Sequence, residues 1–585
     1  MKVSADKWIF AGIRLFAVSA LVAMLSSSAT PALAAPRQAS VGRHAMVVTE
    51  QHYATQAGID VLHAGGNAVD AAVAVGYALA VVDPCCGNIG GGGFMLVRMH
   101  DGRERFVDFR EKAPLHARPG MYLDRHGNVI PYASRKGWLA VGVPGTVLGM
   151  ETARREYGTM SRRRLMAPAI ALARDGFVFS QGDLLPFEGS ETRGYTGAYQ
   201  LSKQPNVAAI FLPHGTFPKP GRLFIQPHLA ATLELIARDG SDAFYRGPIA
   251  RAVAAASQAG GGILTLDDFA RYTVEQTAPA HCAYHGYDVA SAPPPSSGGV
   301  TLCEILNVIS PYPLRAWGWH SARSLHYVTE AERRAYADRN AYLGDPDFVR
   351  DPVTALMSAS YAAKLRATIA PDAATPSVDV RPGLGPVTHE HDDTTHYSIV
   401  DRWGNAVAVT YTLNDWFGAD VIAGDTGFLL NDEMDDFTSK PGVPNMYGLV
   451  QGVRNDIEPG KRPLSSMAPT IVTRDGKVAM VTGSPGGSRI ITIVLETLLN
   501  ALVYGMNVQQ AVDAPRTHMQ WLPDQLQYEP GAFSDATASA LRTMGYSLDR
   551  IDQWGSAQAI VVDPSTGTLY GGTDRRRLAG SAIGY

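Results

Sequence analysis

The alternation of apolar and polar positions changes character near residue 394. Upstream, apolar residues recur at three-to-four spacing over 55–82, 143–157, 161–174, 226–238, 249–258 and 320–342, which predicts amphipathic helices. Gly65-Gly66-Asn67 interrupts the first of these, where one helix ends and another begins. Two strands are expected early, a buried one at 94–97 and a second ending at 105–109 after a turn at Asp101-Gly102. The run PPPSSGG at 293–299 reads as a rigid loop feeding another helix. Between 370 and 394 the periodicity disappears, and Pro371, Pro376, Pro382 and Pro386 with Gly383 and Gly385 mark a long loop. A loop of that length in a folded enzyme is usually functional or a processing site. Downstream the chain reads as strands at 395–400, 406–412, 470–473 and 478–482, followed by a helix at 489–503. Strand pairs beside long helices predict layered sheets covered by helices.

Residues 1–34 stand apart from this pattern. Lys2, Lys7 and Arg14 precede an apolar run at 15–25, and Ala32-Leu33-Ala34 supplies small residues before a cut at Ala35. This is the layout of a secretory signal, and the run is short for a membrane span. An uncleaved anchor is the alternative. The chain as a whole, with a formal net charge of −4 and no basic stripe, gives no sign of a nucleic-acid partner. Four cysteines in 585 residues do not make a disulfide framework. Cys282 and Cys303 can pair only if the fold brings them within about 7 Å, and a bridge between the neighbours Cys85 and Cys86 closes a small ring.

The start of the 395–400 strand carries the sharpest chemistry. A threonine hydroxyl is a weak nucleophile unless a base lies beside it. An N-terminal threonine has one in its own α-amine, whose reference pKa of about 7.7 to 8.0 lies near neutral pH. That chemistry requires a cut between Asp393 and Thr394, and the Thr394 hydroxyl can make it by attacking the Asp393 carbonyl. Taken alone, Thr394-Thr395 is equally an ordinary strand start. His389, Glu390, His391, Asp392, Asp393 and His396 crowd the same stretch. Strand alternation puts His396 on the opposite face from His389 and His391, and no Cys/His spacing accompanies them, so no metal is expected. The glycine run 90–93 precedes a strand instead of joining a strand to a helix, which favours close backbone packing over phosphate binding.

Seven stretches extend the argument: GNIGGGGFMLV from Gly87, DFREKAP from Asp108, PPPSSGG from Pro293, TTHYSIVD from Thr394, NDEMDDF from Asn431, KRPLSSM from Lys461 and TGSPGGSRI from Thr482. In this order they resemble the γ-glutamyltransferases (γ-glutamyltranspeptidases), N-terminal nucleophile hydrolases, over nearly all of 41–585. The resemblance implies an α+β fold, a four-layer αββα sandwich. It also implies self-cleavage into a large subunit, 35–393, and a small one, 394–585, that stay associated as a heterodimer. Thr394 would be the nucleophile, with the Thr412 hydroxyl in support and Gly486-Gly487 facing the developing oxyanion.

A γ-glutamyl group carries a free α-carboxylate and a free α-ammonium. Arg110 offers a planar fork for the first, with Ser465 and Ser466 adding hydroxyls. Asn414, Glu433 and Asp436 would hold the second. Singly, Arg110-Glu111 reads as a surface ion pair and NDEMDD as a solvated acidic turn. The segment 441–452 resembles a mobile lid with Tyr447 at its tip. No metal or organic cofactor is implied. The expected substrates are glutathione and related γ-glutamyl compounds, with water, amino acids or peptides as acceptors, in the periplasm or outside the cell. A glutaryl-cephalosporin acylase on the same scaffold and an inactive binding homologue are the alternatives. The resemblance assigns Cys85-Cys86 no function.

Overall fold

In a computed structural model, the structure describes residues 38–188, 201–383, 394–443, 446, 449 and 451–585. The leader, Asp393 and Tyr447 therefore lie outside the described residues.

From Ala39 onward the chain builds two seven-stranded sheets. Their strands, in chain order, are β1 (Ser40–Gly42), β2 (Met46–Thr49), β3 (Gly92–Arg98), β4 (Glu104–Phe109), β5 (Glu275–Thr277), β6 (Ala280–Tyr284) and β7 (Tyr287–Ser291). After residue 394 come β8 (Thr395–Val400), β9 (Ala406–Thr412), β10 (Thr470–Arg474), β11 (Lys477–Gly483), β12 (Gln558–Val562), β13 (Leu569–Thr573) and β14 (Ser581–Gly584). The first sheet runs β14-β2-β8-β9-β3-β4-β5 and the second β1-β13-β12-β11-β10-β7-β6, antiparallel throughout.

Side-chain alternation explains the layers. On β8, Tyr397 and Ile399 face a helical layer that includes α1 (His52–His63), α2 (Ala68–Val82), α3 (Thr146–Tyr157), α4 (Arg162–Arg174), α5 (Pro227–Asp239) and α6 (Pro248–Ala259). Val400, Ala406 and Ala408 face the other sheet, where they meet Ile471, Val481 and Ile560. The second sheet buries Val289, Val472 and Met480 against α7 (Gly298–Ile309), α8 (Ala322–Tyr342) and α9 (Arg489–Leu498). The result is a four-layer αββα sandwich, the architecture implied by the motifs.

Two devices fix the β8–β9 hairpin. Helix α2 opens on a reciprocal cap between Asn67 and Asp70 and is buried along its whole Ala/Val-rich length. Tyr397 and Tyr411 each donate a hydroxyl hydrogen bond into it, to the carbonyls of Ala72 and Gly76, both at 2.9 Å. The glycine run does pack backbone on backbone. A Cβ on Gly90 would stand 2.0 Å from the Leu429 carbonyl oxygen, and one on Gly91 1.8 Å from that of Thr412.

The helix expectations hold to within a few residues, and both early strands are present. The strands β1, β2, β5–β7 and β12–β14 were not anticipated. Cys282 and Cys303 are bridged with Cα atoms 5.6 Å apart, and Cys85 is bridged to Cys86. No helix among the described residues is long and apolar enough to cross a membrane.

Candidate active site

Thr394 sits just ahead of β8 and is buried, 4% exposed. The hairpin pairs Thr395 with Tyr411 and His396 with Thr410, so one step further places Thr394 opposite Thr412. Both threonines share the face of His396, on whose ring Gly483 of β11 packs without room for a Cβ. Burial pushes the His396 imidazole down to about 3, and its neutral ring meets the hydroxyls of Thr410 at 2.8 Å and Ser398 at 3.1 Å. Its neighbours are hydroxyls rather than metal ligands. The rest of the His/Asp/Glu crowd, 389–393, lies outside the described residues.

Beyond β11, Gly486 (φ 135°) and Gly487 (φ 48°) turn the chain into α9. Their carbonyls accept the N–H groups of Arg489 and Ile490 at 3.1 and 3.0 Å, which closes the turn through the carbonyls rather than the glycine N–H groups.

Past β9 the chain runs through Asn414, held at φ 81°, a left-handed conformation that asparagine tolerates. The Asn414 N–H donates to Thr412 Oγ1 at 2.8 Å, and its side-chain amide donates to the Asp432 carbonyl at 3.1 Å. Asn431 then sets the acidic turn. Its amide donates to the carbonyls of Gly90 and Gly142, and its oxygen accepts the Glu433 N–H at 3.1 Å. The lid-like segment is tied to the same turn: the Met446 N–H donates to Asp435 at 3.0 Å, and the Gln451 amide to the Asp436 carbonyl at 3.2 Å.

Arg110 lies at the centre of this arrangement and is 1% exposed. One guanidinium nitrogen pairs with Glu433, the other with Asp436, and Glu111 is 3.7 Å away. These groups, assigned to opposite ends of a substrate, are thus paired with one another. Neither Arg110-Glu111 nor the acidic turn is a surface feature. Burial works against the Arg110 charge, and Glu433 and Asp436 more than offset it, so its pKa moves up. Burial also raises Glu433 well above the usual carboxylate range, raises Asp436, and pushes Glu111 up to about 8 despite Arg110. Three acids around one guanidinium therefore leave a site short of positive charge.

Two sequence motifs close the floor. Ser465 accepts, at its carbonyl, the N–H and hydroxyl of Ser297, both at 2.7 Å, so 293–299 docks on 461–467. Arg110 Nε reaches the Pro463 carbonyl at 3.3 Å, and the Ser466 hydroxyl accepts from Arg339 at 2.9 Å. Arg339 also donates to the Ser297 hydroxyl at 2.8 Å. Sequence reasoning missed Arg339 and Glu111. The available signal was α8 itself, whose charged residues fall on every face, too many for a helix with one apolar stripe.

The fold and motifs have clear relatives. The model of the γ-glutamyltranspeptidase family matches residues 54–585. A glutathione hydrolase proenzyme from Pseudomonas sp. (strain A14) is 54% identical, covering 97% of this chain and 99% of that one. Another from Escherichia coli (strain K12) is 47% identical, with 97% and 98% covered. Among solved structures, a cephalosporin acylase from Bacillus halodurans matches with a TM-score of 0.81 at 28% identity, covering 96% of this chain and 99% of its own. The sandwich, the buried hairpin start and the match over nearly the whole chain give one conclusion: the chain belongs to the γ-glutamyltranspeptidase family.

Proposed function

We propose that this chain is a γ-glutamyltransferase with glutathione hydrolase activity, and that Thr394 becomes its nucleophile by self-cleavage after Asp393. The observation that carries the reading is the Arg110–Glu433–Asp436 cluster beside the buried hairpin start. A guanidinium flanked by two carboxylates is the complement of an α-amino-acid head group. The substrate carboxylate takes the Arg110 fork with Ser465 and Ser466, while its ammonium takes Glu433, Asp436 and the Asn414 side chain. Neutralising the raised acids in this way makes binding favour their ionised forms.

In the reaction, the freed α-amine of Thr394 accepts the proton of its own hydroxyl as Oγ1 attacks the γ-carbonyl. Thr412, whose oxygen accepts the Asn414 N–H, keeps its own proton to donate toward Thr394. The N–H groups of Gly486 and Gly487 receive the developing oxyanion, where one such donor is worth about 2.7–4 kcal/mol. The α-amine then protonates the leaving amine and later activates water or an acceptor amine against the γ-glutamyl ester. The cut leaves a large chain ending at Asp393 and a small one starting at Thr394, associated as a heterodimer. The 1–34 leader would direct the protein out of the cytoplasm. A glutaryl-cephalosporin acylase would bind a carboxylate with no ammonium, which gives Glu433 and Asp436 nothing to hold.

Intact-mass and N-terminal analysis of the purified protein should give two chains, the smaller beginning at Thr394, and turnover of a γ-glutamyl anilide that a dipeptide acceptor accelerates. Thr394→Ala should remain one chain without activity. A fully active uncut chain, or turnover of glutaryl-cephalosporin without the γ-glutamyl anilide, overturns the reading.

A further inference from the structure

The Cys85–Cys86 pair is the one motif this chemistry does not use. Its two residues are 1% and 2% exposed and close the turn between α2 and the glycine run. The turn grips the site. The Cys86 carbonyl accepts the Leu413 N–H at 3.0 Å and the Cys85 carbonyl accepts the Phe417 N–H at 2.9 Å. Those two bonds bracket Asn414, and the strap between them contains left-handed backbone at Asn414 and at Phe417 (φ 65°), the latter a conformation that persists in a bulky residue only where the surroundings impose it. On its other side the turn packs on the nucleophile strand: a Cβ on Gly87 would lie 2.4 Å from Thr395 Cγ2.

The two sulfurs have unlike surroundings. Arg577 donates to Cys86 Sγ at 3.2 Å, whereas Cys85 Sγ lies 3.3 Å from an Asp83 carboxylate oxygen. A small cavity of about 10 Å³, one water's worth, touches Cys85 and is lined by Glu50, Asp83, Phe179, Asp183 and Arg577. A thiolate is the better leaving group where a cation sits beside it. The Arg577 guanidinium would therefore favour Cys86 as the leaving sulfur, with attack at Cys85.

We propose that Cys85–Cys86 is a thiol-responsive modification site whose closed form positions the 413–417 strap for γ-glutamyl binding. The positioning half rests on the proposed role of Asn414; the exchange half does not. A small thiolate attacks Cys85 Sγ, the S–S bond breaks, and Cys86 leaves as a thiolate beside Arg577 and takes a proton. A second thiolate attacks the external sulfur of the mixed disulfide, releasing Cys85 as a thiol and the reagent as its own disulfide. Two electrons and two protons pass from the thiols to the protein. With the ring open, the strap keeps its sequence but loses the fixed carbonyls that hold it.

The test uses the mature full-length protein carrying Cys282→Ala and Cys303→Ala, so that one disulfide remains. It is treated with dithiothreitol, then iodoacetamide, with circular dichroism confirming that it stays folded. The expected result is alkylation of Cys85 and Cys86, a KM for γ-glutamyl anilide raised about fivefold, the scale of one lost backbone hydrogen bond, a nearly unchanged kcat, and recovery on reoxidation before alkylation. The fluorescence of Trp416, inside the strap, should shift by a component missing in Trp416→Phe, which reads the strap without reference to catalysis. Cys85→Ser/Cys86→Ser should carry the raised KM with no thiol response. Cysteines that resist alkylation until the protein unfolds overturn the proposal, as does alkylation that leaves both KM and the Trp416 signal unchanged. An untreated enzyme inactive on γ-glutamyl anilide instead overturns the proposed function, with alkylation and fluorescence still deciding this one.

Discussion

Asp436→Asn separates recognition of the substrate's ammonium from the chemistry at Thr394. Asp436 is buried and shares the Arg110 guanidinium with Glu433. The substitution keeps the volume and leaves Arg110 its bond to Glu433, while the substrate ammonium loses one charged acceptor. A hydrogen bond to a charged group contributes about 1.5–3 kcal/mol, and each 1.36 kcal/mol is tenfold, so kcat/KM for a γ-glutamyl anilide should fall about 10- to 150-fold. The loss belongs in KM, because the ammonium is held equally in the ground and transition states. The decisive control is the glutaryl anilide, which has the same acyl chain and carboxylate without the ammonium. Its turnover should barely change, so the preference for γ-glutamyl over glutaryl collapses by nearly the whole factor. Thermal unfolding should occur no lower than in the parent, since burial already holds the Asp436 carboxyl above its usual range and asparagine removes that charge. Equal losses on the two anilides, or an intact preference, would refute the assignment of Asp436 to the ammonium.

Gly91→Ala should abolish both cleavage and activity, because its Cβ would stand 1.8 Å from the Thr412 carbonyl oxygen, an overlap with backbone and not with a movable side chain; overpacking costs about 1–3 kcal/mol and more where backbone must shift. Gly452→Ala, whose Cβ meets no described atom within 4 Å, should leave expression, processing and activity unchanged. Glu111→Gln should stabilise the fold increasingly as pH rises from 4.5 to about 8. Over that window folded Glu111 retains a proton that the unfolded chain releases, so the parent loses stability with rising pH while glutamine, which does not titrate, avoids the loss. Melting curves at pH 5 and pH 8 check this, and a difference between variant and parent that is constant with pH contradicts it.

Where periodicity was long, the sequence could be read directly. Helices α2 and α8, and the strands β8 and β9, follow from spacing alone. Strands of three to five residues such as β2, MVVT, or β6, AHCAY, carry too few positions for alternation to register, and β2 acquires its pairing from β8 and β14, hundreds of residues away. The site was legible as residues but not as contacts. Motif order singled out Arg110, Glu433 and Asp436, while their pairing with one another depends on Asn431 tying the acidic turn to Gly90 and Gly142. Arg339 was hidden because charge on a helix ordinarily marks a solvent face. The ring at Cys85–Cys86 could not be placed, since what it holds lies across the chain at Leu413 and Phe417.

The β8 strand begins one residue after the proposed cut, with β2 on one side and β9 on the other. Among the described residues, five ladders join strands from before residue 394 to strands from after it: β2–β8, β2–β14, β3–β9, β1–β13 and β7–β10. A cut between Asp393 and Thr394 would break none of these pairings. The two chains would be woven through each other rather than docked, and neither could leave without dismantling both sheets. Dilution should not separate them, they should melt in a single transition, and a permuted gene opening at codon 394, with its natural ends tethered, should fold into the same sandwich.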